Sequence, residues 1–368
     1  MKIKIKYYLT IIVMLLLVLT FGIMLIFGEK SIYSKAERRK LKEFPRISFS
    51  GIESGEFMSD FEEAVADNFP LRDYLRKIKA YTVTKGLMQR DNNGIYTCRG
   101  HISKLEYPLR YDMLDNAAKH FEKIYQSYFK DTSAEVYFSV VPDKNMYLAK
   151  ENGYLSLDYS SLISYMKKKT DYMKYIDITA LLSEDDYYTT DSHWKQECIT
   201  DIAEYIAKEM GIILTDKYTE NTADNAFYGV YYGQSALNFP PDTLKYLTSD
   251  ATENCTVTIY PNGAGENTSV YNMEKLTDKD PYEMFLSGAQ PIVEINNPYA
   301  VSEKKLVIFR DSFASSLAPL LISGYSKITL IDTRYMQPSL LGSFIDDDTN
   351  DVLFIYSTMI LNSSLSLG

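Results

Sequence analysis

Histidine, cysteine and tryptophan are scarce in this chain: three, three and one among 368 residues. Cysteines as widely spaced as Cys98, Cys198 and Cys255 do not make a disulfide framework, and no pair stands at zinc-knuckle spacing, so metal chemistry through sulfur is excluded. A reaction that needs an imidazole has only His101, His120 and His193 to draw on. Positive charge is in deficit too, with 39 Lys and Arg against 49 Asp and Glu and a formal net charge of -10. A protein that works by neutralising nucleic-acid phosphates needs the opposite balance, so nucleic acid is not the expected partner. Nothing in the sequence calls for a cofactor. What the chain has in quantity is apolar side chain, 46% against 24% charged, which marks a globular protein with room for one large or two small domains. Its 32 tyrosines suit ordinary packing or a wall of rings that stacks on sugars.

Lys2, Lys4 and Lys6 precede an uncharged run over residues 9–28, long enough as a helix to cross the roughly 30 Å hydrocarbon layer. The run ends Leu25-Ile26-Phe27-Gly28-Glu29-Lys30 without a small-residue cleavage site, so residues 1–28 read as an uncleaved signal anchor. Both flanks are basic, and flanking charge does not set the orientation. Two amphipathic stretches follow, at 57–66 and 71–88, separated by Asn68-Phe69-Pro70, where the proline breaks one helix and leads into the next. Residues 29–90 thus form a juxtamembrane helical region. The polar segment 91–100 is a plausible boundary, and 91–368 is the main domain.

In that domain apolar residues at helical spacing (Met113, Ala117, Phe121, Ile124) alternate with short β-branched and aromatic runs at 136–141, 175–178, 256–260, 306–309, 328–331 and 352–356. Helices are predicted at 195–210 and 313–322, each closed by a glycine. This alternation predicts an α/β domain with a mostly parallel sheet. Ligands of such sheets bind beyond the carboxyl ends of the strands, which here carry Asp143-Lys144-Asn145, Arg310-Asp311-Ser312 and Ser357-Thr358.

A serine on the turn between strand 306–309 and the following helix stands at the mouth of the sheet, near the N–H groups of the first helical turn. Ser312 there suits a nucleophile only if a base stands beside it; for an isolated D-S pair, Asp311 or Ser312 as the helix cap is the first reading. Of the histidines, His120 falls on the polar side of its helix and reads as a solvated surface residue, and His101 reads as structural or exposed at a turn. His193 follows Asp191 by two positions and precedes Trp194. In an extended loop those two positions face one side, so Asp191 can orient the imidazole while His193 takes a proton from Ser312.

The segment Tyr187-Tyr188-Thr189-Thr190-Asp191-Ser192-His193-Trp194 resembles the signature of the DHHW proteins and the D-x-H-W segment of the alginate O-acetyltransferases, within the wider SGNH-hydrolase-like group. The resemblance runs over roughly residues 35–360. It is carried also by Glu37-Arg38-Arg39-Lys40-Leu41-Lys42-Glu43-Phe44-Pro45, Ser54-Gly55-Glu56-Phe57, Asp67-Asn68-Phe69-Pro70-Leu71-Arg72-Asp73, Val141-Pro142-Asp143-Lys144-Asn145, Tyr228-Gly229, Arg310-Asp311-Ser312-Phe313 and Asp332-Thr333-Arg334-Tyr335. It implies an SGNH-hydrolase-like three-layer α/β/α domain with Asp191, His193 and Ser312 as a triad. Two departures stand out: Ser192 replaces the first histidine of the signature, and Arg310 stands where glycine is common, where it either crowds the turn or supplies a charge for an anionic group.

Lys144, Asn145, Arg334, Tyr356 and Trp194 are candidate contributors to the same site, with Tyr356 or Asn145 as an oxyanion donor. The resemblance implies an extracytoplasmic, membrane-anchored O-acetyltransferase or acetylesterase acting on a cell-surface polysaccharide. As a transferase it would be supplied by a membrane-bound O-acyltransferase partner. The alternative is a non-catalytic surface protein that holds polysaccharide in the same cleft.

Overall fold

The computed structural model describes residues 2–34, 36–336 and 338–367; Lys35, at the head of the segment that carries the resemblance, and Gln337 lie outside the described residues. The chain forms two compact units, Met1–Asn93 with Tyr232–Asn238, and Gly94–Tyr231 with Phe239–Gly368.

In the first unit, helix α1 (Lys2–Phe27) contains one stretch, Ile5–Phe27, long and apolar enough to cross a membrane, with mean hydropathy 3.0. Helices α2 (Phe49–Ser54), α3 (Glu56–Asp67) and α4 (Arg72–Tyr81) follow. Ser48 caps α2, its hydroxyl accepting from Gly51 N at 3.1 Å. The break between α3 and α4 falls at Asn68-Phe69-Pro70, and Leu71 is left-handed there with φ 59°. The helix predicted to reach residue 88 widens instead into a π turn at Thr82–Gly86. Asp67 ties the unit together: Arg39 holds its carboxylate through two nitrogens, at 2.5 and 2.7 Å, and Lys42 N donates to it at 2.8 Å. The Arg39 hydrogen bond pulls the Asp67 pKa down to about 2.

The second unit is built on an eight-stranded sheet: β1 (Glu135–Val141), β2 (Lys174–Tyr175), β3 (Thr256–Ile259), β4 (Glu266–Thr268), β5 (Ile292–Asn296), β6 (Lys305–Arg310), β7 (Lys327–Ile331) and β8 (Asp351–Ser357), in the order β4-β3-β5-β7-β6-β8-β1-β2. From β7 to β2 all neighbours are parallel, in a register that sets Val307 against Val352 and Ser357 against Val141. Strands β5, β3 and β4 add an antiparallel extension at the other side. Both faces are covered, as the unbroken apolar runs of β6 and β8 require. Leu306, Ile308, Leu353 and Ile355 pack in the layer that holds α7 (Thr200–Glu209), whereas Val307, Phe309, Val352 and Phe354 face α5 (Tyr111–Tyr128) and α6 (Tyr159–Lys169). The architecture is three-layered α/β/α with a mostly parallel sheet, as the sequence reading expects.

Three elements differ from that reading. The strand predicted at 175–178 stops at Tyr175. The helix predicted at 195–210 divides into a 3₁₀ turn, Gln196–Cys198, and α7. The helix predicted at 313–322 is α-helical only over Ala314–Leu317 and then tightens to 3₁₀ over Ala318–Gly324, where Pro319 has no N–H for an α-helical bond.

Candidate active site

Because the parallel strands are in register, their carboxyl ends bring three polar segments to one edge of the sheet, and two carboxylates tie that edge. Asp311 accepts from Ser357 N at 2.7 Å through Oδ2 and from Phe313 N at 3.1 Å through Oδ1. It is therefore the cap of the turn and a strap to β8, and the half-buried Ser312 is left to project. This also corrects one expectation: the Phe313 N–H is committed to Asp311. Asp143 accepts from Thr358 Oγ1 at 2.7 Å and from Asn145 N at 2.9 Å. Burial pushes its pKa up to about 6.

Asp191 and His193 sit in a loop that is not extended, as the sequence reading supposed, but tightly bent. Tyr187 bridges Trp194, Tyr188 N donates to His193 O at 3.1 Å, and Lys195 N donates to Asp186 O at 2.7 Å. Inside the bend Asp191 Oδ1 accepts from His193 N at 3.0 Å and lies 2.6 Å from His193 Nδ1. The side chain thus turns the backbone and orients the ring at once. Asp191 Oδ2 accepts from Val230 N at 2.8 Å. With Nδ1–H donated to Asp191, the tautomer assigned by the hydrogen bonds leaves Nε2 as an acceptor, and it lies 2.7 Å from Ser312 Oγ. Residues 119 positions apart in the chain are thereby joined in one relay, Asp191 to His193 to Ser312.

The relay is braced by aromatic rings. His193 stacks on Tyr282 and tilts against Phe313, with centroids 4.0 and 5.0 Å apart. Trp194 is fully buried behind them, its Nε1 donating to Phe313 O at 3.1 Å and Ser316 Oγ at 2.9 Å. It positions the loop and offers no surface to a ligand.

The loop is held from below by charged groups. Asp242 accepts from Thr189 N at 2.8 Å and from Thr190 N and Oγ1 at 2.7 and 2.6 Å. Lys144 donates through Nζ to Tyr188 O at 2.8 Å and Thr189 O at 3.1 Å. Burial pushes the Lys144 pKa down to about 7, against the opposing pull of Asp191. Gly229 comes so near Asp191 that an added Cβ would lie 2.2 Å from the Asp191 Cβ. The role of these residues is not legible in sequence: Asp242 and Tyr282 lie in no motif, and Tyr228-Gly229 figures only as a landmark of the resemblance.

The remaining candidates are placed as follows. Asn145 is buried, its Oδ1 accepting from Tyr96 OH at 2.7 Å and its Nδ2 directed at Tyr159 OH at 3.4 Å, so its amide is committed to the interior and not to an oxyanion. Tyr356 alternates to the α5 face of β8, its ring stacked on Phe121 at 5.1 Å, opposite the layer that holds Trp194 and Phe313. Its position two residues after Phe354 on a strand makes it core. Arg334 grips Asp332 with Nε and Nη2 at 2.8 and 2.6 Å and lines a separate cavity of about 390 Å³ with Lys119, His120 and Lys123. His120, expected on the polar surface of its helix, is half-buried there, with Nε2 3.2 Å from Thr333 Oγ1. His101 is buried in the hairpin Ile95–Cys98/His101–Lys104, and desolvation lowers its pKa to about 4. Arg310 neither crowds the turn nor presents a charge to a ligand. It is buried, with Nη1 on Ser315 Oγ at 2.8 Å and Nη2 directed at the Gly288 and Gln290 carbonyls at 3.3 and 3.4 Å. Among the described residues no cluster of His, Cys, Asp and Glu is arranged to hold a metal ion.

No family model matches the chain, and no curated protein does. Solved structures do share its fold. A DHHW family protein from Eubacterium siraeum superposes with a TM-score of 0.61 at 22% identity, over 75% of this chain and 95% of its own. PatB1 from Bacillus cereus, solved with a sulfonyl adduct, does so with 0.60 at 21%, over 74% and 96%.

Proposed function

We propose that the chain is a membrane-anchored, extracytoplasmic enzyme that moves or removes O-acetyl groups on a cell-surface polysaccharide through an acetyl-Ser312 intermediate. The observation that carries this reading is the relay of 2.6 and 2.7 Å contacts from Asp191 through His193 to the hydroxyl of the half-buried Ser312. A serine whose proton has a positioned acceptor, itself oriented by a buried carboxylate, is equipped for nucleophilic attack on an ester. Acetyl as the group and a polysaccharide as the acceptor are supported by the D-x-H-W resemblance.

In the first half-reaction His193 Nε2 takes the Ser312 proton while Oγ bonds to the acetyl carbonyl carbon. Collapse of the tetrahedral adduct expels the donor alcohol, which receives that proton from His193. In the second, His193 removes a proton from a sugar hydroxyl or from water, that oxygen attacks the acetyl carbon, and Ser312 leaves and is reprotonated. Asp191 stabilises the imidazolium in both halves. Residues 1–28 serve as the anchor, 29–90 as the juxtamembrane region and 91–368 as the catalytic domain, and for transfer a membrane-bound O-acyltransferase hands the acetyl group across.

The test is hydrolysis of para-nitrophenyl acetate by the detergent-solubilised chain beside Ser312→Ala, His193→Ala and Asp191→Asn. Turnover that falls about 10³-fold or more in the folded Ser312 variant identifies the nucleophile. Turnover that is absent from the parent, or survives all three changes, moves the polysaccharide-holding role ahead. Oligosaccharide acceptors then separate transfer from hydrolysis.

A further inference from the structure

One face of α4 is left largely uncovered by the described residues, its only hydrogen bond to the rest of the unit being the one Tyr81 OH accepts from Asn238 N at 3.3 Å, at the end of the helix. Leu71, Tyr74, Leu75, Ile78 and Tyr81 recur at helical spacing, and Leu71, Tyr74 and Ile78 are 55, 71 and 62% exposed. The opposite face is the one the unit uses. Arg72 and Arg76 pair with Glu37 at 2.5 and 3.3 Å, Arg76 donates to Gly233 O at 2.9 Å, and Ala80 is buried with Ala236 and Leu237. Lys77 and Lys79 lie on either flank of the apolar stripe at 100° per residue, Lys79 Nζ also donating to Asn93 Oδ1 at 3.0 Å. An apolar stripe edged by lysines is the pattern of a helix lying in a membrane interface, its rings and aliphatic groups below the headgroups and its ammonium groups among them.

The same unit holds the helix that is long and apolar enough to cross a membrane. The corner before α4 packs on α1, with Phe69 stacked on Phe21 at a centroid distance of 5.3 Å. Phe21, Gly22 and Leu25 are the half-buried positions of α1, while its other side chains from Ile5 onward are exposed. Phe21 stands six residues before the end of α1, a depth of about 9 Å along a helix axis. If α1 spans a bilayer, the α3–α4 corner therefore reaches below the end of the span, where the chain next to it meets lipid rather than water. The first exposed residue of the stripe, Leu71, is two positions after Phe69. Phe49, 85% exposed on α2, adds to the apolar surface of the unit.

We infer that α4 is embedded lengthwise in the interface of the lipid bilayer that α1 crosses, so that the first unit is a membrane-seated collar and not a free stalk. This rests on α1 spanning the bilayer and not on acyl transfer at Ser312.

The experiment places the environment-sensitive fluorophore NBD on single added cysteines, Leu16→Cys in α1, Ile78→Cys and Tyr74→Cys in α4, and Lys208→Cys on an exposed position of α7. The full chain is reconstituted in phosphatidylethanolamine and phosphatidylglycerol vesicles. The chain without an added cysteine, labelled in parallel, sets the background from its three half-buried thiols. Expected is quenching of the 78 and 74 labels by doxyl-labelled lipid about threefold or more above the Lys208 position, with aqueous iodide in the reverse order. If the Leu16 label is quenched by lipid but both α4 labels are as open to iodide as Lys208, the inference is overturned while the anchor stands. If the α4 labels are shielded from iodide and lipid alike, a protein covers the face and the inference is overturned in favour of a partner or a second copy. A Leu16 label that no lipid probe reaches removes its premise. The same pattern in Ser312→Ala keeps this result separate from the acyl-transfer reading.

Discussion

The imidazole of His193 lies face to face with the ring of Tyr282, their planes 10° apart, and the Tyr282 hydroxyl is 2.8 Å from Ser316 Oγ, which also receives the Trp194 indole. One serine thus sets the height of both aromatic walls around the base. Tyr282→Phe keeps the stack and loses one hydrogen bond, an expected cost of about 1 kcal/mol in stability with turnover changed only a few-fold. Tyr282→Ala opens a cavity beside the ring, with an expected cost of about 3–5 kcal/mol and turnover lower by about 10²-fold. Urea unfolding followed by Trp194 fluorescence, beside ester hydrolysis, checks both.

Gly229→Ala tests the close approach to Asp191. A Cβ at 2.2 Å from the Asp191 Cβ forces the two segments apart and breaks the Val230 N–H bond to Oδ2. The expected result is a loss of about 1–3 kcal/mol with turnover at least tenfold lower. Steady-state kinetics on protein whose circular dichroism matches the parent reads this, and unchanged kinetics would show that the contact does not govern Asp191.

Asp242→Asn keeps the size of the side chain but replaces one acceptor oxygen with a donor facing Thr189 N or the Thr190 groups. A buried N–H left without its partner costs about 1–3 kcal/mol. The expected signature is a lower thermal midpoint together with faster amide hydrogen exchange over residues 189–193, measured by mass spectrometry.

Lys144 makes stability depend on pH with a definite sign. Its folded pKa is lowered to about 7 from an ordinary value of 10.5, first by burial. Between those values the unfolded chain holds a proton that the folded chain lacks, so stability rises with pH; below about 7 the cost of the buried charge is fully present. Buried tyrosines such as Tyr188, whose pKa burial raises above 10.0, reverse the slope in more alkaline solution, which bounds the window at about pH 10. Urea midpoints across that window are expected to rise in the parent and to be flatter in Lys144→Met.

Arg310→Gly brings the turn to the residue common in the resembling group. Here it removes a buried side chain that bonds Ser315 Oγ and reaches the Gly288 and Gln290 carbonyls. The expected outcome is destabilisation by about 3 kcal/mol or more, from the cavity and the unpaired groups together, with no gain in turnover. A thermal midpoint equal to the parent's would show the arginine to be dispensable.

The strands that carry the site were legible because buried parallel strands need apolar residues on both faces, and 306–309 and 352–356 announce themselves by composition alone. Residues two apart can be paired by eye, and Asp191 with His193 was such a pair. The bend that pairs them was not legible, since the same D-x-H suits an extended loop or a turn closed by its own carboxylate.

The three-layer class, the apolar N-terminal helix and the identity of a serine, a histidine and an aspartate worth bringing together were all readable from the residues in order. The folded chain was needed to show which groups meet across long separations: His193 with Ser312, Asp242 with Thr190, and Tyr282 with His193. It also decided which face a strand residue takes, and strand periodicity turned Tyr356 into the core while the in-register carboxyl ends left Ser312 at the edge. Lys144 reads as a surface charge or a site residue in isolation. It became a buried clamp because two carbonyls of a loop 44 and 45 positions away, at Tyr188 and Thr189, close over it. Local propensity is written in neighbouring residues, whereas burial and pairing depend on the whole chain having folded around them.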